Sequence, residues 1–187
     1  MKALKKGEGE SAIEILKADH KKVKKLFKDF EKLVEDEKDD DRQKAWLVEQ
    51  ACNELTIHAE VEEAIFYPVA RKVVDDMVLM DEAEVEHSVA KDLIAQLQEM
   101  EPGDDLYDAK FLVLAESVRH HIKEEENEMF PKLEKNKKLD LEALGRKIMR
   151  AKEEMKAELG IEVEMEAPQA FRSSRQRSNE YYRAGRY

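Results

Sequence analysis

Six ionisable residues occupy positions where a helical bundle would normally carry apolar side chains. They are His20, His58, Glu62, His87, His121 and Glu125. An unpaired His or Glu in an apolar core is costly, so six of them on converging stripes require something that compensates all six. A metal centre would do this, because imidazole nitrogens and carboxylate oxygens suit borderline cations such as iron, manganese and zinc. The chain has a single Cys, which excludes a site built from clustered thiolates.

Four predicted helices carry these residues in phase with their apolar positions. Apolar side chains recur at steps of three and four residues over 13–34, 47–69, 80–97 and 111–125, the period of a helix that faces a bundle core. His20, for example, lies midway along the first of these runs. The pattern predicts an all-α fold, an antiparallel up-down four-helix bundle in which every helix directs a nitrogen or oxygen ligand inward.

The second and fourth helices share a motif. HAEVEEAIFYP over 58–68 and HIKEEENEMFP over 121–131 agree in the spacing of His, the Glu pair and Pro. Within each HxxxE the two side chains are about 40° apart around the helix axis and about 6 Å apart along it, so both can reach one site. An acidic residue followed by His, at His20 and at His87, precedes each motif, so the chain is a helix pair repeated once. Two HxxxE units would then face each other, with these two His completing the ring.

This order of His, HxxxE, His and HxxxE over four helices, with Pro closing the second and the fourth, resembles the hemerythrin-like (HHE cation-binding) family. The resemblance covers roughly residues 10–135. It implies a non-haem di-iron centre in the bundle core, two Fe ions with an oxo or hydroxo bridge. It implies terminal iron ligands at His20, His58, His87 and His121, and bridging carboxylates at Glu62 and Glu125.

Two positions depart from the oxygen carriers of that family. Those proteins have a fifth His on the third helix, four residues before its partner, where this chain has Ala83. Their fourth-helix bridge is an Asp five residues after the His, where this chain has Glu126; Glu125 is preferred here because its four-residue spacing keeps to the stripe. The absent His would leave one iron with an open or water-filled position. The candidates to fill it are Glu84, Tyr67 and Glu63.

An open position favours exchange of exogenous ligands. The expected function is therefore binding or sensing of O2 or a related small oxidant, NO or peroxide, more than simple O2 carriage. The alternative is an enzyme that decomposes hydrogen peroxide, with a bridging Glu or Tyr67 moving protons. No catalytic residue is assigned, because no separate nucleophile or organic-cofactor motif is present. A ferritin-like oxidase would need ExxH on two helices, and only Glu84 to His87 supplies it.

Other residues near the stripes have simpler interpretations. A single His on an apolar stripe is more often a hydrogen-bonded core residue than a ligand, but four of them with two Glu in matched repeats favour the metal. His120 points about 100° away from His121 and is expected at the surface or behind the ligands. Glu63 and Glu126 are expected at the rim of the site or behind the ligands. Cys52 lies off the ligand face, and packing is its expected role.

The composition fits an all-helical cytoplasmic protein. Of the 187 residues, 41% are charged and only 6 are Gly and 4 Pro, which is typical of long amphipathic helices with short connections. No apolar run approaches the ~20 residues of a membrane helix, and the N-terminal sequence MKALKKGEGE has no apolar signal core. We therefore expect no membrane partner.

Three segments are predicted. Residues 1–136 form the four-helix bundle, and 137–160 form an additional helix that packs on the bundle and has no stripe of ligand-type residues. Residues 161–187 form a basic Arg/Tyr-rich tail, expected to be disordered because it cannot bury enough apolar area to offset its ordering entropy. Nucleic acid is not expected as a partner of the bundle. Arg interleaved with aromatic residues makes the tail a candidate for binding nucleic acid or an acidic partner.

Overall fold

Five helical rods make up residues 9–36 and 40–161, the parts of the chain that the computed structural model describes. The elements are α1 (Ala12–Glu35), α2 (Asp41–Val61), a first π turn (Glu62–Phe66), α3 (Tyr67–Ala70), α4 (Met77–Gln98), α5 (Tyr107–Glu124), a second π turn (Glu125–Met129), α6 (Phe130–Glu134) and α7 (Leu141–Glu158). The second rod runs without a break through α2, the first π turn and α3, and the fourth through α5, the second π turn and α6. No strand occurs within the described residues. The predicted all-α fold is confirmed.

Polar side chains fix where the rods begin. Ser11 and Glu14 form a capping box at α1, in which each side chain accepts a hydrogen bond from the backbone N–H of the other residue. Asp40, Asp76 and Asp140 cap α2, α4 and α7, and each accepts from the backbone N–H three residues further on. These caps set the start of four of the five rods.

Two apolar clusters fill the bundle, one on each side of the candidate ligands. The Phe111 cluster is centred on aromatic rings of α1 and α5, which are Phe27, Phe30 and Phe111. The Phe66 cluster is centred on Phe66 of the first π turn, Tyr67 of α3 and Phe130 of α6. On α1, Leu16 belongs to the Phe66 cluster and Val23 to the Phe111 cluster, with His20 between them. The candidate ligands therefore form a polar layer between two apolar ones.

The additional helix α7 lies on the outside of the bundle, against α1, α2 and the first π turn. Its buried residues form one stripe, Leu144, Gly145, Ile148 and Lys152. Gly145 permits the close approach of α7 to the start of α1, because a Cβ there would lie 2.3 Å from the carbonyl oxygen of Glu10. The helix thus covers the rods that carry His20 and His58.

Some of the sequence predictions are not tested by this structure. The segment boundaries at 136 and 160 stay predictions, and so does the cytoplasmic location. Residues 162–187, which hold nearly all of the predicted basic tail, lie outside the described residues. None of the helices in the described ranges is both long enough and apolar enough to cross a membrane.

Candidate metal centre

The six residues singled out by the sequence lie together between the two apolar clusters, in two donor groups that share one residue. The first donor group consists of His20, His58, Glu62 and Glu125, and the second of Glu62, His87 and His121. Within each group the donor atoms all lie within 4.8 Å of one another. Every one of the six residues is buried. The structure therefore brings together all of the candidate ligands and leaves none apart.

The four His direct their Nε2 atoms toward the centre. Nε2 of His20 is 3.3 Å from Nε2 of His58, and Nε2 of His87 is 3.2 Å from Nε2 of His121. Each Nδ1 instead lies 2.9 to 3.3 Å from a carboxylate oxygen. Because an ionised carboxylate only accepts hydrogen bonds, Nδ1 carries the donated proton, and Nε2 is the nitrogen that can offer a lone pair to a metal ion when it carries no proton of its own. Four Nε2 atoms thus converge on one small volume.

Glu62 lies between the two donor groups. Its Oε2 is 3.1 Å from Nε2 of His58 and 3.4 Å from Nε2 of His87. Its Oε1 is buried and has no hydrogen-bond partner among the described residues. Burial alone would raise the pKa of Glu62, but the two His hold the pKa well below its usual value, so the side chain is an anion. An unpaired oxygen on a buried anion is costly, and a bound cation would remove that cost.

Glu125 has the same placement in the second HxxxE motif. Its Oε2 is 3.2 Å from Nε2 of His20 and 3.5 Å from Nε2 of His121, and within the described ranges it has no hydrogen-bond partner. Two buried carboxylates this close together require positive charge between them. Protons and metal cations are the two available sources. The four Nε2 atoms, the two central carboxylates and the unpaired oxygens together fit a pair of metal ions.

Protons are the competing occupant of the centre. Burial alone would lower the pKa of His58, but the charge of Glu62 and the hydrogen bond to Asp19 outweigh burial and raise the pKa to about 10. The pKa of His121 is also raised, because Glu125 and Glu86 outweigh its burial. A metal ion therefore has to displace protons from these rings when it binds.

Four outer carboxylates, defined as those that accept from the Nδ1 atoms, hold the imidazole rings. Asp19 precedes His20 on α1 but bonds to His58 on α2 at 3.3 Å. The other three also bond to a His on another rod: Glu63, Glu86 and Glu126. Such bonds fix the orientation of a metal-binding ring and raise its basicity. In this chain they also tie the rods together around the centre.

Comparisons with known proteins identify the family of this chain. A family model described as the hemerythrin HHE cation binding domain matches residues 11–133. The chain belongs to this family. A crystal structure of an HHE cation-binding domain-containing protein, the Rv2633c homolog from Mycobacterium kansasii, has the same fold, with a TM-score of 0.65 and 22% identity over 80% of this chain and 89% of that one. A DNA nickase of Nostoc sp. is 28% identical over 126 residues, 66% of this chain and 33% of the relative, so this chain spans about a third of that protein.

Each HxxxE motif of this HHE domain ends in a π turn that begins at the candidate ligand Glu. In the first turn the backbone N–H of Tyr67 bonds to the carbonyl of Glu62, five residues back instead of four. Pro68 explains the change, because it has no N–H and its ring would clash with the carbonyl four residues earlier in a regular α-helix. The second turn has the same pattern ahead of Pro131. These turns were not predicted from the sequence, although the Glu and Pro spacing that the two motifs share is a signal that could have indicated them.

The first π turn delivers Tyr67 to the second donor group of the HHE centre. Its hydroxyl is 3.2 Å from Nε2 of His87 and 3.4 Å from Nε2 of His121, and it donates to Oε1 of Glu125 at 3.1 Å. Burial and the negative charges of the two central Glu raise the pKa of Tyr67 well above its usual value, so the hydroxyl keeps its proton. Tyr67 is therefore an uncharged donor at the candidate metal centre.

The other two candidates for the position of the absent fifth His point elsewhere. Glu84 is exposed and accepts a hydrogen bond from Arg71 at 2.6 Å. Glu63 accepts from Nδ1 of His87 and from Lys91, on the outer side of the ring. Ala83 itself is buried and offers no donor atom. Of the three candidates, Tyr67 is the one whose polar atom faces the donor groups.

An apolar cavity of about 30 Å³ lies beside the four His of the HHE centre. A cavity of this size holds one or two water-sized groups. Its apolar lining comes largely from the Phe111 cluster: Val23, Leu55, Ile94, Val118 and Ile122. Tyr67 belongs to the Phe66 cluster. The cavity and the Tyr67 hydroxyl therefore lie on opposite sides of the centre, each next to a different apolar cluster.

His120 and Cys52 lie outside the centre. The side chain of His120 is 62% exposed, and its Nε2 lies 3.2 Å from Oε1 of Glu124 and 3.7 Å from Oε1 of Glu86. These three residues form a third group of donor atoms, at the surface. Cys52 is buried within the Phe111 cluster, and this burial raises the pKa of its thiol to about 12. The thiol is therefore protonated and packs as a small apolar group.

Proposed function

We propose that this chain is a non-haem di-iron protein that binds or senses O2 or a related small oxidant, NO or peroxide. The observation that carries the proposal is the pair of donor groups sharing Glu62, beside a cavity with room for one or two water-sized groups. Imidazole and carboxylate donors suit iron, manganese and zinc alike. Iron is proposed because it is the metal that the family resemblance implies.

Each of the two donor groups would hold one of two ions. One ion would be held by His20 and His58, the other by His87 and His121, and both by Glu62 and Glu125. Bound iron would supply a change of oxidation state and an open position for a small ligand. Ligand exchange is proposed at the ion held by His87 and His121, because Ala83, one turn before His87 on α4, offers it no further donor atom.

The chain's own residues favour a small, weakly polar ligand. The apolar side chains that line most of the cavity disfavour ions beside the donor groups, and the volume disfavours larger molecules. The outer carboxylates keep the rings from turning when a ligand enters. The hydroxyl of Tyr67 offers one hydrogen-bond donor to whatever binds near His87 and His121.

The alternative function is decomposition of hydrogen peroxide, and Tyr67 is the observation that favours it. Its hydroxyl oxygen lies 3.1 Å from Oε1 of Glu125, so a hydrogen-bond donor and a carboxylate that can accept a proton lie together at the centre. Repeated turnover of peroxide needs proton transfers of this kind, whereas simple binding of O2 or NO does not. Turnover therefore separates the two functions.

The decisive experiment measures iron and its response to ligands. Protein purified without added metal and protein reconstituted with Fe²⁺ under anaerobic conditions should both be analysed for iron, with about two per chain expected. His58→Ala should lose iron, while His120→Ala, which removes an exposed His outside the donor groups, is the matched control and should keep it. Failure of the wild type to take up iron would overturn the proposal.

A second measurement distinguishes the binder from the enzyme. Anaerobic Fe²⁺ protein is exposed to O2, NO or peroxide while its absorption spectrum is followed, and O2 release from added peroxide is recorded with an electrode. One stoichiometric spectral change supports binding or sensing. Release of O2 over many equivalents of peroxide, abolished in His58→Ala and kept in His120→Ala, supports the enzyme.

A further inference from the structure

A buried lysine reaches the candidate metal centre from the helix that lies outside the four-helix bundle. Lys152 of α7 is the one buried Lys or Arg of the described residues. Its Nζ donates to Oδ1 of Asp19, and Oδ2 of the same carboxylate accepts from Nδ1 of His58 at 3.3 Å. The chain of contacts therefore runs from α7 through one carboxylate to a candidate ligand.

Two of the other three outer carboxylates also lie near lysines, but those lysines are open to solvent. Lys24 is 3.2 Å from Glu126 with 42% of its side chain exposed, and Lys91 is 2.8 Å from Glu63 with 37% exposed. The side chain of Lys152 is 9% exposed. Water and salt screen the first two pairs and leave them weak, whereas removing one partner of a buried pair leaves the other charge uncompensated. Asp19 therefore depends on Lys152 more than Glu126 depends on Lys24 or Glu63 on Lys91.

The sequence of α7 places Lys152 on the face of the helix that packs against the bundle. Leu144, Ile148 and Lys152 follow one another at four-residue steps along the buried stripe, and Gly145 lets the helix lie close to the start of α1. A buried ammonium group is costly without a partner, so the docked position of α7 requires the carboxylate of Asp19. Conversely, Asp19 is held between Lys152 and His58. Although burial would raise the pKa of Asp19, hydrogen bonds from His58 and the charge of Lys152 lower it.

We propose that Lys152 is a positioning residue of the metal centre, which acts through Asp19 to hold the ring of His58. The family match ends at residue 133, so this assigns part of the centre to a helix beyond the matched domain. The inference rests on the proposed function only in requiring that the donor groups bind a metal. It links the docking of α7 to the affinity of the first donor group for that metal.

The test compares variants that each replace one lysine, where the lysines differ in how deeply they are buried. Lys152→Met removes the buried cation but keeps an unbranched side chain, Lys152→Arg restores the charge, and Lys91→Met removes a solvent-exposed cation from another outer carboxylate. Lys147→Met removes an exposed charge from α7 itself and is the control. Each full-length variant is titrated with Co²⁺ in competition with a chelator, and the visible spectrum of bound Co²⁺ reports ligand geometry.

We expect Lys152→Met to bind Co²⁺ at least ~10-fold more weakly than the wild type, with a changed visible spectrum, as for other losses behind a metal ligand. Lys91→Met should lose less than Lys152→Met, Lys147→Met should match the wild type, and Lys152→Arg should recover most of the affinity. In the iron-loaded protein the reduction potential of Lys152→Met should be more negative, because a nearby positive charge is lost. The exposed-charge variants should show a smaller shift.

The possible outcomes separate this inference from the proposed function. If the wild type binds neither Co²⁺ nor Fe²⁺, the proposed function itself fails. If the wild type binds metal while Lys152→Met keeps its affinity, spectrum and potential, only the role of Lys152 is overturned. If Lys152→Met lacks the helical circular dichroism of the wild type, Lys152→Gln takes its place, and unchanged Co²⁺ affinity in that folded variant overturns the inference equally.

Discussion

Replacing Tyr67 with Phe tests the hydroxyl at the centre with little disturbance to packing. The Tyr67 ring is 2% exposed and stacks on His87 with 5.4 Å between ring centroids. Phe keeps this ring, so the substitution removes one O–H from the Phe66 cluster. In the metal-free protein Oε1 of Glu125 then loses the donor that lies at 3.1 Å. The free energy of unfolding of the metal-free protein should fall.

The size of the fall follows from the type of bond that is lost. A hydrogen bond to a charged group contributes about 1.5–3 kcal/mol to stability. The contact of the same hydroxyl with Glu62, at 3.4 Å, is near the limit for a hydrogen bond and adds little. For a chain of this length 1 kcal/mol corresponds to about 2–4 °C, so the metal-free Tm should fall by about 3–12 °C. In the metal-loaded protein the fall should be smaller, because a cation also stabilises the carboxylates.

Thermal unfolding followed by circular dichroism, with and without bound metal, measures this change. Tyr107→Phe is the matched control, because Tyr107 is also buried but lies in the Phe111 cluster away from the donor groups. Its effect should be smaller than that of Tyr67→Phe, because neither central carboxylate loses a hydrogen-bond donor. If metal-free Tyr67→Phe loses no more stability than Tyr107→Phe, the hydroxyl does not hold the central carboxylates and the reasoning is refuted.

Three further measurements address the packing of α7, the lone thiol and the protons of the centre. Gly145→Ala should destabilise the protein by about 1–3 kcal/mol in a urea titration, because its Cβ would meet the backbone at 2.3 Å; in an open helix the same change would stabilise by up to ~1 kcal/mol. Cys52 in the native protein should react with a thiol reagent at pH 8 at least ~10-fold more slowly than in urea, because burial raises its pKa to about 12. The Tm of the metal-free protein should fall between pH 7 and pH 10: the pKa of His58 is raised from 6.5 to about 10, so the stability that it contributes is full below 6.5 and is lost as the pH rises through 10. A Tm that rose over this range would contradict that assignment.

The candidate ligands could be predicted because residue type and helical period act together. The chain has 5 His, and four of them fall on apolar stripes at matching places in a repeated helix pair. The period fixes which face of a helix a residue occupies, and an inward His or Glu has few stable explanations. The same argument preferred Glu125 to Glu126, and the structure places Glu125 between the donor groups and Glu126 on Nδ1 of His20.

The position of Tyr67 could not be predicted in the same way, because it depends on a departure from the regular helix. On an ideal α-helix, five residues from Glu62 correspond to about 140° around the axis beyond a full turn, which does not bring the two side chains together. The π turn adds a residue to that turn and brings the Tyr67 hydroxyl to within 3.4 Å of Glu62. The sequence left three candidates for the position of the missing His, and the backbone distortion decides among them.

The role of Lys152 could not be predicted from the helical period. It lies four residues after Ile148 on the buried stripe of α7, a polar residue on an apolar stripe just as His20 is on α1. The same pattern is much weaker evidence for a lysine, because its long stem commonly lies along apolar surface with the ammonium group in water, and this chain has 33 Lys and Arg. Its partner Asp19 is 133 positions away, and no local pattern joins the two. A polar residue on an apolar stripe therefore predicts a buried site when the residue type is rare in the chain and its side chain is rigid, as for His. When the residue type is common and its side chain is flexible, as for Lys, only the tertiary contact establishes a buried site.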